Sequence, residues 1–220
     1  ALLKGVSDFD LVHIHAIWLY TTRIAARACL KKNIPYILSP CGALDPYGLR
    51  DHTIRKRIYG LLVERGNFQG AALVHFTSPM EQDRAWTFGV KRPSVIIPRS
   101  VPAAASGEVP AGAFRQEHPE IGAQRILLFL GRLHPKKRLD LIARAFIPIA
   151  SRYQDVHLVV AGPDQGAAVQ VREILKKASL LDRATFTGFI TGRDKQALLH
   201  DSTLFLLPSE DENFGVAALE

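Results

Sequence analysis

Short apolar runs alternate with longer amphipathic ones along almost the whole chain, which predicts strands that each lead into a helix. Residues 10–15 (DLVHIH) read as a strand, 18–32 as a helix, and 35–39 as a short buried strand. Residues 53–68 read as an amphipathic helix with a basic face, followed by a strand at 72–77, a helix at 79–88 and a strand at 94–97. Between residues 98 and 124 the sequence turns rich in Ala, Gly and Pro without apolar periodicity, the signature of a linker. The pattern then restarts with strands at 125–130, 156–161, 184–187 and 204–207, and helices at 138–152, 167–178 and 193–200. A last helix is expected to open at Gly215 and run through Glu220. Repeated βα alternation builds parallel sheets covered on both faces, so the expected class is α/β with two such domains. The expected boundaries are 1–102 for the first domain, 103–124 for the linker and 125–220 for the second.

Composition narrows the setting. Of 220 residues 47% are hydrophobic and 22% charged, which suits a globular fold. No apolar run reaches the roughly 20 residues of a membrane span, and even Ile126–Leu130 is ended by Gly131 and Arg132. Cys29 and Cys41 form neither a disulfide framework nor a zinc pattern, which fits a reducing compartment and a cytoplasmic location. The first residues carry no initiator Met and no secretory n-region, and both ends read as cut from a longer protein. Charge is uneven: residues 1–102 hold 14 Lys and Arg against 7 Asp and Glu, whereas residues 103–220 hold 14 of each. The densest basic group, Arg50, Arg55, Lys56 and Arg57, suits the inner face of an anionic membrane or a phosphate-bearing acceptor, and equally a solvated helix face. It lacks the interleaved aromatics of single-strand binders and no recognition-fold signature accompanies it, so nucleic acid is not an expected partner.

The candidate chemistry lies at strand ends of the second half. In Leu130-Gly131-Arg132-Leu133-His134-Pro135-Lys136-Lys137, Gly131 allows close backbone approach, Arg132 offers a planar fork of donors, and Lys137 adds a point charge near a helix start. These groups suit a diphosphate, although the run is neither a Walker-type phosphate loop nor a dinucleotide fingerprint. Gly162 ends the next strand and Gly188-Phe189 the one after, where a flat wall could face a base or two Phe rings could simply pack. In PSEDENFGVAALE, Glu212 and Glu220 bracket seven residues that begin Asn213-Phe214-Gly215. Free amides at the helix start and two spaced carboxylates suit the ends of one extended polar ligand. The same acidic turn would also complement the helix dipole without a ligand. His13 and His15 alternate on the first strand and are expected on opposite faces, so no shared ion is expected there.

Read in order, GRLHPKK, VVAGPD, FTGF and PSEDENFGVAALE resemble the donor-binding domain of the retaining glycosyltransferases of family 4, and DLVHIHAIW, YILSPCGALDP and HFTSPMEQ resemble its acceptor domain. The resemblance implies the GT-B fold, two Rossmann-like domains with parallel sheets separated by a cleft, both incomplete here. It implies a nucleotide-sugar substrate (UDP-, GDP- or ADP-linked), no metal or other cofactor, and a glycan or lipid-linked acceptor of the kind used in polysaccharide biosynthesis. By position, Arg132 and Lys137 would hold the diphosphate, Glu220 the ribose hydroxyls and Glu212 the transferred sugar. The Phe214-Gly215 backbone would touch that sugar or the phosphates, with Asn213, Gly131, Gly162, Gly188 and Phe189 completing the donor site. Two departures stand out: Ser39-Pro40-Cys41-Gly42 occupies the place where many members carry a His, and Pro98-Arg99-Ser100 replaces a common Asn-Gly. A catalytic His is therefore not assigned, and a scaffold that binds nucleotide without catalysis is the competing reading.

Overall fold

The computed structural model describes residues 5–44, 60–101 and 109–220. It divides into two compact units: Ala1–Ser100 with Asp211–Phe214, and Val101–Glu210 with Gly215–Glu220.

The first unit carries four parallel strands, β1 (Val12–His15), β2 (Tyr36–Ser39), β3 (Leu73–Phe76) and β4 (Ser94–Ile96), in the order β1-β2-β3-β4. Helix α1 (Tyr20–Lys32) ends because Asn33 turns left-handed at φ 54°, a conformation Asn tolerates better than most side chains. A π-turn (Gly60–Glu64) runs into α2 (Arg65–Gly70), the described remainder of the helix expected at 53–68. The cluster Arg50, Arg55, Lys56 and Arg57 lies outside the described residues. Helix α3 (Pro79–Thr87) starts as its sequence dictates, with Ser78 as N-cap accepting from the Glu81 amide and Pro79 in the first turn. Ile14, Leu38, Val74 and Phe76 of the strands pack with Ala26, Ala28 and Cys29 of α1. Tyr36 is buried in this core, which pushes its phenol up to about 12, and its hydroxyl donates to the Asn67 carbonyl.

His13 and His15 depart from expectation by sharing a face. A strand repeats every two residues, so positions 13 and 15 point the same way, and their ring centroids lie 4.1 Å apart. His75 of β3 joins them, its Nδ1 3.4 Å from His13 Nε2. Among the described residues no three His, Cys, Asp or Glu side chains converge to hold one metal ion.

The second unit repeats the architecture with β5 (Arg125–Leu130), β6 (Val156–Ala161), β7 (Ala184–Gly188) and β8 (Ser202–Phe205), all parallel, in the order β7-β6-β5-β8. Alternate residues of the central strands feed two cores. Leu127, Phe129, Leu158 and Val160 face one side, against Leu139, Ile142 and Phe146 of α5 (Leu139–Arg152) and Val171 and Leu175 of α6 (Ala168–Lys177). Ile126, Leu128, Leu130, Val159 and Ala161 face the other, against Ala197 and Leu198 of α7 (Gly192–Asp201). Strands covered on both faces need apolar side chains on both, which is why these stretches read as unbroken hydrophobic runs.

The stretch read as a linker contains a helix, α4 (Ala113–Glu117), packed into the second unit. Phe114 and Ile121, each 1% exposed, anchor it in the core. The Asp201 carboxylate, at the end of α7, accepts from the amides of Gly112 (2.7 Å), Phe114 (3.0 Å) and Arg115 (3.3 Å), which caps the helix. Its first-turn amides thus find an acceptor 86 or more residues away. Two anchors among small residues are too few to produce a period that sequence reading detects.

Candidate functional site

In the second unit, the loops after β5, β6 and β7 are joined into a continuous backbone seam at the carboxyl edge of the sheet. The Gly131 amide donates to the Ala161 carbonyl at 2.9 Å and the Gly162 amide to the Gly188 carbonyl at 2.7 Å. Gly162 has φ 139°, and a Cβ placed on it would collide with the Gly131 carbonyl oxygen. Only glycine fits there, on both counts. Beyond the seam, Leu133 donates to Pro163 (2.9 Å) and accepts at its carbonyl from Gln165 (3.0 Å) and Ala167 (3.1 Å). Asp164 Oδ1 gathers the amides of Gly166, Ala167 and Ala168 at 3.0 to 3.2 Å and so caps the start of α6. These amides, that of Ala168 foremost, hold the Asp164 carboxyl below its ordinary range.

Arg132 leaves β5 directly after Gly131, and its Nη1 donates to Gln165 Oε1 at 3.3 Å. The following turn, Pro135–Lys137, is opened by His134, whose Nδ1 accepts from the Lys136 amide, and it closes at Arg138, left-handed at φ 52°. The Arg138 guanidinium donates to the Asp140 carboxylate at 3.0 Å. The Glu210 amide donates to the Lys136 carbonyl at 3.0 Å, which brings the chain just before the two-glutamate motif against the Lys137 loop. Gly188 is left-handed at φ 71°, and Phe189 beyond it is 75% exposed, so its ring is a surface wall; Phe186 instead packs at the core, with the Arg172 guanidinium 3.8 Å above its ring.

Gly215 is the N-cap of a single-turn helix, α8 (Val216–Leu219), at φ 67°. Helical residues therefore begin one position later than expected and cover four residues. Glu220 follows, and Lys195 of α7 donates to its Oε1 at 2.7 Å.

Glu212, Asn213 and Phe214 group with the first unit. There Asp211 pairs with Arg84 of α3 at 2.8 Å, and Asn213 Nδ2 donates to Thr77 Oγ1 at 2.7 Å. Of the residues singled out in the sequence, Gly131, Arg132, Gly162, Gly188 and Phe189 thus come together on adjoining strand ends, Lys137 sits in the β5 loop, and Glu220 hangs on α7. Sequence reading passed over Gln165, Lys195, Thr77 and Glu81. Of these only Glu81 had a local signal, the Ser-x-x-Glu capping box at Ser78.

Two all-parallel four-stranded sheets with their helices make two Rossmann-like units, and the likeness to solved structures makes the fold GT-B. The chain belongs to the family of glycosyl transferases group 1: residues 111–220 match that family, and residues 2–99 match the glycosyl transferase 4-like domain. It is 30% identical, across its whole length, to the uncharacterized glycosyltransferase YqgM of Bacillus subtilis, of which it spans 57%. It is 32% identical to the D-inositol 3-phosphate glycosyltransferase of Salinispora tropica, over 60% of this chain and 29% of that one. The crystal structure of Anabaena HepE in complex with UDP and glucose superposes with a TM-score of 0.78 at 18% identity, covering 98% of this chain and 57% of HepE. Among the described residues no helix is long and apolar enough to cross a membrane.

Proposed function

We propose that the chain belongs to an enzyme that transfers a sugar, with retention of configuration, from a nucleoside diphosphate to a glycan or lipid-linked acceptor. The observation that carries the reading is the glycine seam Gly131–Gly162–Gly188 with Arg132 and Lys137 in its first loop. Small residues let a diphosphate approach the backbone, and two cations meet the charge it gains on leaving. In the proposed reaction an acceptor hydroxyl attacks the anomeric carbon from the face that the diphosphate vacates. The new glycosidic bond forms as the bond to phosphate breaks, and a departing phosphate oxygen takes the hydroxyl proton. Glu212 would accept hydrogen bonds from the transferred sugar and Glu220 from the ribose diol.

The crystal structures of HepE with UDP and with UDP-glucose favour a uridine donor among the candidates. The positive excess in residues 1–102 favours an acceptor that carries phosphate. Incubation of the protein with UDP-, GDP- and ADP-sugars and phosphate-bearing acceptors, read by proton NMR, tests the proposal. The expected product keeps the anomeric configuration of the donor; an inverted product, or free nucleotide binding without turnover of any donor, would refute retention or catalysis respectively.

A further inference from the structure

We propose that Glu81 and Thr77 are positioning residues that lock the side-chain amide of Asn213 in one orientation, an inference that rests on reading Asn213 as a donor-contacting residue. Glu81 is 1% exposed, in the first turn of α3. Its Oε1 accepts from the Gly42 amide, in the loop after β2. Its Oε2 accepts from the Thr77 amide at 2.7 Å and from the Thr77 hydroxyl at 2.9 Å. A capping-box Glu ordinarily turns back to the N-cap amide. Here it reaches one residue further and ties together the loops after β2 and β3.

The consequence follows from counting protons. A carboxylate offers only lone pairs, and a threonine hydroxyl has a single proton. That proton is given to Glu81, so Thr77 Oγ1 can only accept from Asn213, and it does so from Nδ2 at 2.7 Å. Turning the amide over would set Asn213 Oδ1 against a hydroxyl lone pair. Oδ1 stays directed away from Thr77, buried and without a hydrogen-bond partner among the described residues. An amide held only by packing would turn to satisfy its acceptor; this one is held by the Glu81–Thr77 relay, which leaves the buried acceptor unpaired. Gly42 completes the seat: at φ 82°, its added Cβ would lie 3.0 Å from Asn213 Cβ, so a side chain there would press on the amide.

The test compares Thr77→Val, which keeps the shape and removes the hydroxyl, with Thr77→Ser, which restores it, and adds Glu81→Gln. The first readout is hydrogen exchange of the Asn213 side-chain NH2, assigned by NMR from its loss in Asn213→Ala. The second is the KM and kcat for UDP-glucose hydrolysis. The relay predicts slow exchange in the wild type and in Thr77→Ser. It predicts exchange about fivefold faster or more in Thr77→Val and Glu81→Gln, with UDP-glucose KM raised by a similar factor, the equivalent of one ordinary hydrogen bond. Unchanged exchange in Thr77→Val would overturn the relay. If the wild type neither binds nor hydrolyses UDP-glucose while the exchange pattern appears as stated, the lock stands and the uridine-donor reading of Asn213 fails.

Discussion

Replacing Gly162 by Ala should damage the second unit far more than one added methyl suggests. The new Cβ would meet the Gly131 carbonyl, a backbone atom that cannot swing aside as a side-chain tip can. The φ of 139° is closed to L side chains, which costs about 1–3 kcal/mol by itself. Relieving the collision requires the β5 and β6 loops to part, which weakens the bonds from Gly162 to Gly188 and from Gly131 to Ala161, each worth about 1 kcal/mol. The sum is about 3–5 kcal/mol, or roughly 10–20 °C in the melting temperature of a unit this size. Gly166→Ala is the matched control: its φ is 97°, but nothing lies within 4 Å of the added atom, so only the conformational cost of about 1–2 kcal/mol applies. Far-UV circular dichroism in urea measures both variants, and hydrogen exchange over residues 156–162 localises the effect. If Gly162→Ala loses no more stability than Gly166→Ala, the close approach of the two loops is not a structural constraint and the seam account is wrong.

Two further outcomes follow from the same geometry. His157, 2% exposed between Gln124 Oε1 (3.1 Å) and Thr185 Oγ1 (2.9 Å), has its pKa lowered, foremost by burial. The unfolded chain takes up this proton near pH 6.5 and the folded one only at lower pH, so stability is full above 6.5 and falls as pH drops below it. Urea titrations from pH 7.5 to 5.5 should show that slope, and His157→Gln should flatten it; an unaltered slope would remove His157 as the cause. Lys195→Met should loosen the Glu220 carboxylate and reduce the preference for UDP over 2′-deoxy-UDP, expected at about tenfold in the wild type for hydrogen bonds to a charged acceptor. Calorimetry with the two nucleotides checks it, and an unchanged ratio would mean that the 2.7 Å pair does not orient Glu220.

The second sheet was legible because both faces of its central strands β5 and β6 are buried, which imprints the runs Ile126–Leu130 and Val156–Ala161 on the sequence. The glycines at strand ends were legible for a local reason: Gly131, Gly162 and Gly188 all take positive φ (156°, 139° and 71°), and at Gly162 the neighbouring loop also leaves no room for a Cβ. Helix α4 was not, because its cap is the distant Asp201 and Phe114 is its one fully buried side chain, with Ile121 buried in the turn beyond it. The shared face of His13 and His15 follows from the two-residue strand repeat and was misjudged in reading the sequence. Partners such as Lys195 for Glu220, or Thr77 for Asn213, are set by tertiary folding over 25 and 136 residues of separation, and no local spacing encodes them.

The central claim is that a nucleoside diphosphate binds at the carboxyl edge of β5, β6 and β7. Isothermal titration of the protein with UDP, before and after Arg132→Ala and Lys137→Ala, tests it most directly. The account predicts one site per chain, weakened at least tenfold by either substitution, since each removes a charge-assisted contact worth about 1.5–3 kcal/mol. Binding of UDP with undiminished affinity in both variants would contradict it.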